Sequence, residues 1–315
     1  MKKISLFIMI LLVGITVLAC GAQTTTTAVT FDESKSINVY TRDTTSGTRT
    51  GFMEGIGFAS AATSDSVLVQ GFIIKDNTGI LSTLAIDEYG IGYVSLSSVN
   101  DSVKGLNFNG VEPTEVNVIN DTYGLKRPFM YMLRQDGDYP NDTVEAIVKA
   151  FVAFLSSSDG GDIINNSGAI ALPSTQTWDQ IKSSHTVCTQ NNAAITVRFG
   201  GSDSIQKVAQ ALTAAFMPKC GNFIAEHDHT GSSDAYKRTN DPAIKDTAVG
   251  KDVGFSSRFF RDAELNVNSS LRGQLAWDAI VAIVHVNNPL NNVTAADLKA
   301  IYEGSYLTWA ALLSK

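Results

Sequence analysis

The stretch TRDTTSGTRTGF, residues 41–52, sets small hydroxyl side chains and one glycine between two arginines. Thr44, Thr45, Ser46, Gly47 and Thr48 supply hydroxyls and unhindered backbone N–H groups where a strand-like run, Ile37 to Tyr40, gives way to a helical pattern. A helix start carries about half a positive charge and several unpaired donors, so it can hold an oxyanion without a dedicated lysine. Ser and Thr are equally the ordinary caps of any helix, and the motif by itself leaves an anion cradle and a plain cap side by side. Three later segments repeat the chemistry: GSDS at 201–204, DHTGSSDA at 228–235, and KDVGFSSRFF at 251–260, with Asp252 and Ser256 at its strand end. Four turns of this kind point to one pocket at the carboxyl ends of sheet strands.

Other constellations carry less. His227 and His229 alternate and so share a face, but sequence places no third ligand beside them, with His185 and the cysteines lying elsewhere; no metal site is assigned. GIGFAS lacks the last glycine and the following acid of a dinucleotide fingerprint. There is no G-x-S-x-G elbow, and no serine is tied by spacing to a histidine and an acid, which leaves a hydrolase as the minor reading. No catalytic residue or cofactor is assigned, and the chain reads as a binding protein rather than an enzyme. Its formal charge of −7, with no basic run and no aromatic ladder, argues against nucleic acid as a partner.

The elements that must position these turns alternate in the manner of an α/β protein. Strand-like runs are expected at 66–74, 89–96, 127–133, 194–200 and 279–286, and helices at 144–157, 204–216 and 294–304, the last opened by a Thr294/Asp297 capping box. A polar connector, 174–193, has no clear apolar period, with room for a short helix around Trp178 to Ile181. The 315 residues, 44% hydrophobic and 17% charged, suffice for a large core and favour two domains.

At the start, Lys2 and Lys3 precede an apolar run from Ile4 that ends in VLAC. This pattern predicts a signal peptide over 1–19 and acylation of Cys20, with 20–30 as a lipid-anchored linker holding the protein on the outer face of the membrane. Loss of the two leader lysines takes the formal charge to −9. Cys188 and Cys220 then remain in a compartment that permits a disulfide, with paired and free thiols both open.

Taken together, these segments resemble the phosphate-binding lipoproteins of bacterial phosphate ABC importers, a type-2 periplasmic binding protein family. TRDTTSGTRTGF is similar to the family's second-domain anion loop, YGIGYVSLSSV to its IGYVSL strand, and YGLKRPFMYML with SSSDGGDII to its closing segment. GSDSI, TGSSDA, DVGFSSRFF and the run from AWDAIVAIVHV to YLTW resemble its opening half. The order is rotated, because the opening segments occupy 194–315 and the closing ones 37–173, as in a circular permutant whose old ends are bridged by 174–193.

The resemblance implies two lobes, 30–125 with 290–315 and the continuous 126–289, a cleft between them, and hinges near 123–128 and 286–290. It implies inorganic phosphate as ligand, an ABC permease as partner, a monomer, and no enzymatic activity. Another oxyanion such as molybdate or tungstate, or a surface sensor or adhesin, stands as the alternative. By position it assigns Arg42, Ser46, Gly47, Thr48, Ser202, Asp203 and Ser232 to the anion, and Asp252 as acceptor of the ligand's proton. Asp203 departs from the pattern, which has a threonine there. Arg49 and Arg258 are expected in structural ion pairs.

Overall fold

The computed structural model describes residues 31–314. Cys20, the leader and the whole of the expected linker lie outside the described residues. β1 (Asn38–Thr41) leads into α1 (Gly47–Gly55), followed by β2 (Ile73–Ile74), α2 (Asn77–Leu84), β3 (Gly90–Ser95), β4 (Val103–Gly105), β5 (Asn107–Phe108) and α3 (Glu115–Ile119). β6 (Lys126–Leu133) then precedes α4 (Asp142–Leu155), α5 (Ser158–Asn166), β7 (Ile170–Ala171) and α6 (Trp178–Ile181). A regular alternation follows: β8 (Thr196–Gly201), α7 (Gln206–Phe216), β9 (Ile224–His229), α8 (Ser233–Asn240) and β10 (Val253–Ser256). The long strand β11 (Arg272–His285), β12 (Asn292–Val293), α9 (Ala295–Glu303) and α10 (Trp309–Leu313) complete the chain. None of the described helices is long and apolar enough to cross a membrane.

The strands run in the order β2-β1-β3-β11-β6-β10-β8-β9, with β4 and β7 also paired to β11. β8, β9 and β10 are mutually parallel, as are β1, β2 and β3, while β6 and β11 run against their neighbours. The loops after β8, β9 and β10 therefore all leave from one edge of the sheet, which is where three of the Ser-rich turns sit.

Two large apolar cores form on this frame, beside two smaller clusters around Ile80 and Phe260. One gathers Val39, Phe52, Ile91, Tyr93, Ile301, Tyr302 and Trp309. The other gathers Phe129, Phe151, Phe199, Leu212, Phe216 and Phe255. Helix α4 illustrates how sequence dictates placement: Asn141 caps it, Asp142 and Glu145 lie in its positive first turn, and Val144, Ile147, Val148, Phe151, Phe154 and Leu155 form its buried face. β11 serves both cores, with Leu275 and Ala276 in the second and Ala279, Ile280, Ala282 and Val284 in the first. The chain thus changes core at 276–279, earlier than the 286–290 expected, because one unbroken apolar strand can lie in two cores and periodicity does not mark where it passes between them. On β6 the change falls between Leu125 and Phe129.

Of the run 66–74, only Ile73 and Ile74 form a strand. Leu68 N–H bonds to the Asp65 carbonyl, Gly71 takes a positive φ of 87°, and Val67 and Leu68 pack half-buried on the first core from a loop. The connector folds into α6, opened by a Thr177/Gln180 capping box, and buries Trp178 in the second core. A disulfide joins Cys188 to Cys220.

Candidate functional site

The start of α1 meets three loops of the other core. Ser46 caps the helix, its Oγ accepting from Arg49 N–H at 3.4 Å. Behind that cap Thr48 Oγ1 lies 2.6 Å from Ser204 Oγ, on the turn after β8. Ser202 Oγ donates to Ser257 Oγ at 2.9 Å, and Ser257 N–H donates to Ser232 Oγ at 2.9 Å, which brings the turns after β8, β9 and β10 together. Gly47 is pressed against them: a Cβ there would stand 2.2 Å from Ser232 Oγ and 2.6 Å from Ser257 Oγ. Only glycine permits that approach.

Two buried guanidinium groups border the hydroxyls. Arg42, just after β1, ion-pairs through Nη2 with Asp203 Oδ2 and leaves its buried Nε without a partner. Arg127, on β6, donates from Nη1 to Thr48 Oγ1 at 2.8 Å and from Nε to Asp278 Oδ2 at 2.9 Å. Asp278 lies opposite Arg127 in the β6–β11 ladder and also accepts from Ser95 Oγ at 2.8 Å. Burial pushes the Asp278 carboxyl up, and Arg127 only partly offsets this. For Asp203 the balance is reversed: burial raises it, but Arg42, the Asn77 N–H at 3.2 Å and Arg127 hold it below the usual carboxylate range. Its Oδ1 is buried with no hydrogen-bond partner. Such an acceptor costs roughly 1–3 kcal/mol until a donor reaches it.

Cavities flank the cluster on two sides. One of about 460 Å³ runs beside α1 and reaches Arg127 and Ser257; another of about 400 Å³ lies between α2 and α7 and reaches Asn77, Asp203 and Lys207.

Of the residues singled out by sequence, Arg42, Ser46, Gly47, Thr48, Ser202, Asp203 and Ser232 come together here. Asp252 does not. It sits buried at the opposite end of β10, accepting from Arg198 N–H at 2.8 Å and ion-paired with Arg134 Nε at 3.5 Å. At about 3.3 Å per strand residue it is roughly 16 Å from Ser257. The KDVGFSSRFF segment reaches the cluster through Ser257 instead, while the Ser256 hydroxyl turns away to the Arg258 carbonyl. Ser204, Ser257, Arg127 and Asp278 were missed: the serines lie inside the motifs quoted, but nothing in the spacing of a β-strand says that Arg127 would end beside Thr48. Arg49 ties Asp65 and the Arg42 and Ala61 carbonyls, and Arg258 grips Glu264 at 2.7 and 2.8 Å, both as structural pairs.

Chemically, the cluster offers hydroxyls, a helix start, two cations and one carboxylate acceptor, with neither an activated nucleophile nor a described group of three or more metal-ligating side chains. Residues 186–315 match the family model described as PBP superfamily domain. Phosphate-binding protein PstS 2 of Streptococcus agalactiae is 26% identical over 324 residues, spanning 99% of this chain and 98% of that protein. Phosphate-binding protein PstS 2 of Streptococcus pneumoniae is 25% identical over 311 residues, spanning 98% of each. The crystal structure of a phosphate-binding protein of a phosphate ABC transporter from Streptococcus pneumoniae superposes with a TM-score of 0.63 at 22% identity, over 88% of this chain and 99% of that one. These likenesses run through nearly the whole chain and agree with the fold. The chain is similar to the PBP superfamily over residues 186–315, and its fold is the two-lobed type-2 fold of periplasmic binding proteins.

Proposed function

We propose that this protein is an extracytoplasmic receptor that binds inorganic phosphate between its lobes and delivers it to the permease of an ABC importer. The observation that carries this reading is the meeting of the Ser46–Thr48 helix start with Ser202, Ser204, Ser232 and Ser257 between two guanidinium groups. Relatives named as phosphate-binding proteins over the full length support it.

Hydroxyls and a helix start suit any tetrahedral oxyanion, so the choice of phosphate rests on Asp203. Its unpartnered Oδ1 can accept a hydrogen bond from an anion that still carries a proton. Sulfate and molybdate, fully deprotonated near neutral pH, would set a second acceptor against it. Calorimetric titration with phosphate, sulfate and molybdate tests the reading: phosphate should bind at least tenfold more tightly than either. Equal or tighter binding of molybdate would transfer the protein to the other oxyanion class.

The membrane anchor belongs to the same proposal. Mass spectrometry of the membrane fraction should find diacylglyceryl-modified Cys20 at the mature N-terminus, and a mature protein beginning elsewhere would remove the lipid anchor from this account. We place the lobes on either side of 125–129 and 276–279, and expect a monomer by light scattering, since one chain supplies both sides of the cluster.

A further inference from the structure

His227 and His229 project from one face of β9 and form, with Phe199 and Phe255, a group of near-parallel rings. The Phe199–His227, His227–His229 and His229–Phe255 centroids lie 5.2, 5.4 and 6.1 Å apart. Their ring nitrogens make a continuous line. Thr213 Oγ1 is 2.9 Å from His227 Nε2, His227 Nδ1 is 3.1 Å from His229 Nε2, and His229 Nδ1 is 3.0 Å from the carbonyl oxygen of Ser202, a residue of the hydroxyl cluster.

The direction of each bond follows from that carbonyl, which can only accept. His229 Nδ1 therefore carries a hydrogen; its Nε2 accepts from His227 Nδ1–H, and His227 Nε2 accepts from the Thr213 hydroxyl. One place is left for an added proton, His227 Nε2. There the Thr213 hydroxyl can turn its hydrogen to the Gln210 carbonyl, 3.1 Å away, and accept from the new N–H. A second proton would set two N–H groups head to head between the rings.

We propose that the His227–His229 pair is a binding site for a single proton, coupled to the anion cluster through Ser202, so that proton and anion bind together. The coupling rests on the cleft being the anion site. A cation stored behind Ser202 favours an anion in front of it, and by reciprocity the anion favours the proton. The charges facing the pair are Asp203 and Asp228, which favour the cation, and Lys251, which opposes it. Burial keeps both imidazoles neutral at ordinary pH, reinforced at His227 by the neighbouring His229 ring and only partly offset at His229 by the Ser202 carbonyl, Asp203 and Asp228, and each is pushed down to about 4 in the free protein.

Calorimetry of inorganic phosphate binding at about pH 5, in two buffers of different protonation enthalpy, counts the protons taken up. The native protein should take up a fraction of a proton per anion. Its affinity should rise as pH falls from about 6 to about 4, by at most about tenfold per pH unit, the limit for one proton. The double variant His227→Phe/His229→Phe keeps the rings in the stack, leaves no imidazole to protonate and should take up none. Absence of uptake in the native protein, or equal uptake in the double variant, overturns the proposal. NMR titration of the imidazole ring protons, which needs no variant, should place their midpoint at higher pH with phosphate than without; an unmoved midpoint also overturns it. Phosphate binding at about pH 7.5 separates the two readings, because failure there sinks the anion site itself, whereas binding there without uptake at pH 5 sinks only the proton site.

Discussion

Gly47 is among the residues at which the two sides of the cleft touch, and its missing side chain is what lets Ser232 and Ser257 come so close. Alanine there would collide with Ser232 and Ser257 only when the lobes are closed, so its cost falls on closure and not on the folding of either core. Gly47→Ala should weaken phosphate binding by about 1–3 kcal/mol, roughly five- to 150-fold, with little change in melting temperature of the free protein; an equal loss of melting temperature and affinity would mean that the glycine is needed for folding. Asp203 and Asp252 make a second contrast at this scale. Asp203→Asn exchanges a buried acceptor for a donor and should narrow the phosphate-to-sulfate preference by roughly tenfold or more. Asp252→Asn disturbs the Arg134 and Arg198 pairs far from the cluster, and should lower stability while leaving the preference as it was. Calorimetry of both anions against both variants decides between them. Residue identity was legible from sequence wherever the motif itself carries the donors, as at Ser46–Thr48 and Ser232. It failed at Asp252 because a motif says which residues are near in the chain, and a four-residue strand then carries its two ends to opposite edges of a sheet.

At the scale of elements, the readable features were those with a strong period and a cap. α4 shows both, and α9 begins at the Thr294/Asp297 box that the sequence displays. Hydrophobic content without a stop signal misled at 66–72, where the apolar residues pack from turns, and at β11, whose strand reaches back to Arg272 through GQLAW before its apolar run begins. The connector had no apolar period to read, since Trp178 and Val187 bury isolated side chains and the disulfide to Cys220 does the remaining fixing. That crosslink joins residues 32 apart and ties the connector to the turn after α7. Replacing both cysteines by serine should lower the stability of the second core by ~2–5 kcal/mol, read as a drop in denaturation midpoint. Phosphate affinity should hold, because the bridge lies at the far end of α7 from Ser202–Ser204. A variant as stable as the native protein would mean that packing of Trp178 alone holds the connector.

For the whole molecule, what matters is where the chain ends meet. Ile37 N–H bonds to the Leu307 carbonyl at 2.9 Å, Trp309 N–H to Lys35 at 3.1 Å, and Ala310 N–H to Glu33 at 2.7 Å, so the first and last described segments are zipped together in one core. The rotated segment order expected from the motifs is not a rotation against the PstS 2 relatives, which match over nearly the full length of both chains; ends already in contact would nonetheless permit a rotation, because a short join between them closes little new loop and costs little entropy. The natural break for a reopened chain is just before the connector, because cutting there leaves Trp178 and the Cys188–Cys220 bridge attached to the second core. A gene encoding 174–315, a short Gly/Ser join and then 31–173 should therefore yield a protein that folds and binds phosphate within a few-fold of the natural order. The β11 and β6 crossings, the α1 start and the Ser-rich turns all keep their neighbours in that arrangement. If the reordered chain folds by circular dichroism but does not bind, the lobes are not wired as proposed and the rotated motif order reflects something other than permutation. If it binds as well as the natural chain, the site depends on which elements face each other across the cleft and not on where the chain begins.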